Sequence, residues 1–139
     1  MRTSAAVLIF STCLSACDNA TEPDPERSPI DRAYQTAVTL TSSTCTGITV
    51  LNQPTIIDHE PGASTFTLRH ATLVYTGTLG ANSTWTTDAR SDTVGSATHT
   101  LTIVGQFNTS GFVADVNAQV THSDAAPNCS YQVHWVGTR

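Results

Sequence analysis

The residues on which any chemistry would have to rest are few. His99 and His122 lie in the apolar-alternating segments 98–107 and 111–122. If Phe107 pairs with Phe112, His99 faces Val120 and His122 sits diagonally nearby on the same face, where two imidazoles could hold a metal ion. No HxH, HExxH or CxxC accompanies them and no third ligand is apparent. The expectation is therefore two half-buried strand-end histidines hydrogen-bonded to neighbours, with a metal as the alternative and no cofactor required. Cys45 and Cys129 leave three possibilities open: a disulfide, a pair of free thiols, or a metal site. Asp58-His59-Glu60 has the residue types of an acid–base pair, although loops are polar in any case. Asp88 and Asp92 lack the Asp-x-Asp-x-Asp-Gly spacing of a calcium loop. Tyr75, Trp85, Tyr131 and Trp135 could stack a sugar, but alternating positions favour the core. Arg69 and His70 are adjacent, so on a strand they point to opposite faces. No GxSxG elbow, Walker loop or dinucleotide fingerprint is present, and no catalytic residue is assigned.

These side chains must be carried by strands. From Thr36 onward the apolar period is two, not 3.6. In 98–107, His99, Leu101, Ile103 and Phe107 share a face; in 111–122, Phe112, Ala114, Val116, Ala118 and Val120 do; in 129–138, Cys129, Tyr131, Val133 and Trp135 do. Asn108-Thr109-Ser110-Gly111 joins the first two as a hairpin, and Asp124 to Asn128 joins the next pair. Upstream, Thr36–Thr41, Gly47–Leu51, Ser64–His70, Thr72–Leu79 and Ser83–Ala89 read as strands, with Thr55–Asp58 a possible ninth. Turns fall at Glu60-Pro61-Gly62 and Gly80-Ala81-Asn82. The expectation is an all-β, single antiparallel domain of about eight strands. An up-and-down barrel, lipocalin-like in shape, is favoured because closure protects the edges, with a β-sandwich as the alternative. No Gly-x-Trp start of the lipocalin type is present.

Composition agrees and excludes some partners. Threonine and serine are abundant, which suits strands. Charged residues make up 12% of the 139, and the formal net charge is −5. There is no lysine, and Arg2, Arg27, Arg32, Arg69, Arg90 and Arg139 are scattered. A basic patch for nucleic acid cannot be assembled from them, nor one for an anionic membrane surface.

The first residues form a separate unit. Met1-Arg2 is a short positive start, and an apolar run from Ala5 to Leu14 is too short to span a bilayer. It fits the apolar region of an export signal. Leu14-Ser15-Ala16-Cys17 then resembles the lipobox of bacterial lipoproteins. That resemblance implies cleavage after Ala16, lipid attachment at the Cys17 thiol, and stable anchoring by two or more acyl chains. Cys13 would be discarded with the signal. Residues 18–32 hold three prolines and five acids, an extended, self-repelling tether. The division expected is thus 1–16 signal peptide, 17–35 lipidated cysteine and tether, and 36–139 barrel or sandwich. The ending Cys129 to Arg139 resembles the last strand of small β-rich bacterial lipoproteins of no known activity.

Export places the domain where disulfides persist, and Cys45 and Cys129 then allow one intramolecular bond, tying the chain's two ends. The expected role is a lipid-anchored protein of the bacterial cell envelope, at the periplasmic face or cell surface. A non-catalytic structural or protein-binding module is expected first, a small-molecule or lipid carrier using a barrel interior second, and an enzyme last. Mass spectrometry of protein extracted from membranes is expected to show a chain beginning at an acylated Cys17. Cys17→Ser should move the protein to the soluble fraction, and an unmodified mature chain starting elsewhere would refute the assignment.

Overall fold

A computed structural model describes residues 28–139. The expected signal peptide, Cys17 and the first part of the tether lie outside these residues. Nine strands follow one another: β1 (Arg32–Ser43), β2 (Gln53–Asp58), β3 (Thr65–His70), β4 (Leu73–Leu79), β5 (Thr84–Thr87), β6 (Arg90–Val94), β7 (Ala97–Phe107), β8 (Gly111–His122) and β9 (Cys129–Thr138). They form one antiparallel sheet in the order β5-β4-β3-β2-β1-β9-β8-β7-β6, closed into a barrel by pairing of β5 with β7. The barrel, rather than the sandwich, is the fold. Its last three strands are those the alternation predicts, and the register pairs Phe107 with Phe112 and His99 with Val120.

Upstream the reading needs correction in three places. Gly47–Leu51 is not a strand but part of an irregular segment between β1 and β2. Its alternation is real: Ile48 and Val50 are half-buried while their neighbours are exposed. One side of an extended segment faces the barrel interior, and no ladder is involved. Thr55–Asp58, the possible ninth strand, is a strand, extended to Gln53 as β2, and it pairs with β1. β6 is too polar to show an apolar alternation. Finally, β1 starts at Arg32, four residues before the expected boundary, because Tyr34 belongs to the core at 1% exposure. The chain just before it is also tied down, by Tyr34 Oη to the Ile30 carbonyl at 3.1 Å and by Arg139 to the Pro29 carbonyl at 3.3 Å.

One end of the barrel is packed with rings. Tyr34, Phe66, Trp85, Phe107 and Phe112 meet there, mostly edge to face, with centroids 5.2–6.3 Å apart. Each of three rings lies over a glycine directly across the ladder: Phe66 over Gly77, Trp85 over Gly105, and Phe112 over Gly137. A Cβ on these glycines would come within 2.2, 2.3 and 2.1 Å of the ring atoms. Glycine is thus the residue that lets a ring lie flat on the sheet's inner surface.

The other end is built differently. β5 and β6 run in the same direction along β7, as two pieces of one strand broken at Asp88–Ala89. At the break the strand leaves β4, and two bonds bridge the fork: Asp88 N–H to the Thr76 carbonyl at 3.0 Å, and the Arg90 guanidinium to the Val74 carbonyl at 3.0 Å. The segment between β1 and β2 lies over this end, pinned at its start by the Cys45–Cys129 disulfide.

Two measurements test this frame. Gly105→Ala must displace both Trp85 and the Val113 carbonyl, the latter 2.8 Å from the added carbon, and is expected to lower unfolding free energy by about 1–3 kcal/mol in denaturant titration. Cys45→Ser/Cys129→Ser opens a loop with a sequence separation of 84. In the chain-entropy treatment it should cost about 4–5 kcal/mol, measured against the oxidised protein; a loss below about 1 kcal/mol would contradict that role.

Candidate functional site

Away from the aromatic end, β8 brings only small side chains to the inner wall: Ala114, Val116 and Ala118. Small groups on a curved wall leave space. A chamber of about 300 Å3, widely open to solvent on one side, lies between the barrel wall and the β1–β2 segment. Val38, Leu101, Val116 and Val133 form its apolar side, Leu73 and Tyr75 come from β4, and Thr49, Val50 and Leu51 from the overlying segment. Trp135 and His70 complete it, their rings stacked at 4.0 Å and 26°. Leu51 stands at the rim, 66% exposed.

A polar chain runs through the wall behind His70. Thr36 and Thr55 share a hydrogen bond between hydroxyls at 2.7 Å, and the Thr55 hydroxyl lies 2.9 Å from His70 Nδ1. Buried hydroxyls need such partners. Burial pushes the His70 ring down to about 4, so it is neutral at neutral pH. Burial also raises the Tyr75 phenol to about 12, against the lowering effect of Arg90 nearby, and raises Tyr131. No Asp, Glu, Arg or Lys lines the chamber. It is an uncharged, largely apolar space with ring walls and a few neutral polar groups, the general character of a small-molecule site. The fork between β4 and β6 makes a lateral cleft of about 350 Å3, and Tyr75 lines both cleft and chamber.

The residues singled out in the sequence are distributed as follows. His99 and His122 do come to one face, in a pocket of about 340 Å3 beside Cys45 and Cys129. The cysteines are joined to each other, which removes the free-thiol and metal alternatives for them. His99 Nδ1 lies 3.5 Å from the Tyr131 hydroxyl, and His122 Nδ1 lies 4.0 Å from Asp124 Oδ1. Among the described residues no group of three or more His, Cys, Asp or Glu is arranged to hold a metal ion. The acid–histidine run is pulled apart. Asp58 bonds to Arg69 on the outside of the barrel. His59 is held by Ser28 at 2.5 Å and by the Ala63 carbonyl at 2.9 Å. That carbonyl can only accept, so Nε2 donates to it. Arg69 and His70 point to opposite faces, outward and inward. The four aromatics separate too: Trp85 joins the ring-packed end, while Tyr75, Tyr131 and Trp135 line the chamber.

The chamber itself was not apparent from the sequence. Ile48 and Val50 carried a signal, in their alternation, but it reads as a strand. The Thr36–Thr55–His70 chain has no sequence signature, because it is made across three strands. Comparison with protein families, with curated proteins and with solved structures finds no match for this chain.

A pH dependence follows from His70. Its ring binds a proton near pH 6.5 when unfolded but only near pH 4 in the barrel. Between those values the unfolded chain holds the extra proton, so stability falls as pH falls through that window. Thermal unfolding is expected to show a decline from pH 6.5 to 4 that is shallower in His70→Gln. An equal decline in both proteins would show that His70 is not its source.

Proposed function

We propose that the protein is a lipid-anchored binding module of the bacterial cell envelope, whose ligand site is the chamber formed by Trp135, His70 and Tyr75. Two sequence features support the location: the Leu14-Ser15-Ala16-Cys17 motif behind its apolar run, and the acidic, proline-rich stretch that follows as a tether. The Cys45–Cys129 disulfide fits an oxidising compartment. The observation that carries the binding reading is the contrast between the two ends of the barrel. At one end the barrel interior is filled with rings, and the hollow of about 410 Å3 beside Phe107 is walled mainly by loop residues outside it; at the other end a space of about 300 Å3, at the lower end of the range for ligand sites, is lined by inward strand residues. A carrier of long acyl chains needs a deeper interior than the ring-packed end leaves. A small ring compound needs no more than this chamber. Binding rather than catalysis fits the groups present: the candidate acid–base residues Asp58 and His59 are each engaged elsewhere.

Benzene is a suitable first probe because it tests the space without testing polar recognition. At a free concentration about five times its Kd it should stabilise the full-length protein by about 1 kcal/mol, seen as a rise in Tm, and shift the Trp135 indole resonance. Leu73→Trp, which adds bulk from the chamber wall, should abolish both effects in a folded protein. No effect of benzene on either readout would reject the chamber as a site.

A further inference from the structure

The chamber's lining restricts what it can hold. We propose that its ligand is a small, uncharged ring compound bearing one hydrogen-bonding group, received by His70 Nε2 and the Tyr75 hydroxyl. This rests on the chamber being a binding site and adds the chemical class.

Size comes first. Water occupies roughly 30 Å3 per molecule in the liquid, so about 300 Å3 corresponds to a ligand on the order of ten non-hydrogen atoms. Charge comes second. No ionised side chain lines the space, and burying an ion without a partner carries a large desolvation cost. Arg90 and Asp88 lie in the lateral cleft outside it, the Arg90 guanidinium on the Val74 carbonyl. Polarity comes third. His70 uses Nδ1 on Thr55, and among the described residues its Nε2 and the Tyr75 hydroxyl have no hydrogen-bond partner. Both side chains line the chamber. The hydroxyl pair Thr36–Thr55 can turn either way, so His70 can present Nε2 as a donor or as an acceptor. A ligand hydroxyl or carbonyl would each be met. Shape comes last: Trp135, Tyr75 and Tyr131 give aromatic walls, which favour ring faces and edges over branched chains.

Three compounds of one shape separate these claims: 4-methylphenol (neutral, with a hydroxyl), toluene (neutral, without one) and 4-methylbenzoate (anionic). Calorimetric or NMR titration of the full-length protein at pH 7 is expected to rank 4-methylphenol first, with toluene about fivefold weaker and 4-methylbenzoate at least tenfold weaker. His70→Leu should remove the preference for 4-methylphenol over toluene while keeping toluene affinity. Tyr75→Phe, a milder change, should reduce the same preference. The ranking should hold from pH 8 to 5, since the His70 ring stays neutral until about pH 4. Equal binding of all three, or tighter binding of 4-methylbenzoate, would leave the chamber as a site and overturn the ligand class. A preference untouched in both variants would overturn the assignment to His70 and Tyr75. Binding of none would reject the site and the class together.

Discussion

Placing a large ring directly on a glycine is the interaction on which the rest of this barrel depends. Phe66, Trp85 and Phe112 each cross a ladder to lie over Gly77, Gly105 and Gly137. A barrel of eight strands has an interior only wide enough for side chains to fill. Three rings fit in one layer because their partners contribute no side-chain volume. Tyr34 and Phe107 complete that layer, and it closes the barrel at the end where the chain enters.

The consequence is an unequal division of space. With five rings packed together at one end, the other is lined by valines and leucines and by Tyr75, Tyr131 and Trp135, which leave a space between them. The structure meets this in two ways. The irregular segment after β1 folds over the opening and presents Val50 to it, while Ile48 lines the pocket beside the disulfide. The strand opposite breaks at Asp88–Ala89, so that β6 departs from β4 and leaves a fork bridged by Arg90. Neither closes the space completely. The chamber is what remains between a packed layer, a broken strand and a covering segment. The Cys45–Cys129 bond is well placed for this arrangement. It fixes the start of the covering segment to the first residue of β9, whose Trp135 forms the chamber floor.

His70 shows how the chamber acquires its character. Its position on β3 turns it inward beside Trp135, where burial removes its charge, and Thr55 and Thr36 give its ring a neutral polar partner. A histidine at the same distance from Trp135 but exposed would carry a titrating charge near neutral pH. Here it behaves as a flat, neutral group with one nitrogen available, which suits recognition of uncharged molecules.

Much of this frame was legible in the chain by itself. Strand alternation is a local property, so the β-class, the last three strands, the Phe107–Phe112 register and the opposite faces of Arg69 and His70 could be read from it. So could the pairing of Cys45 with Cys129. The ring-over-glycine pairs could not, because each joins residues whose register the alternation does not specify upstream of residue 98. The segment 47–51 shows the limit most clearly: an alternating run reports that one side is buried, not what buries it. Only the closed sheet decided that this run covers a chamber instead of extending a ladder. It also decided that Tyr75, Tyr131 and Trp135 surround a space while Trp85 fills one. The reason is physical. Strand faces are set by a period of two along the chain, whereas empty volume is set by the sum of side chains arriving from every strand at one height in the barrel.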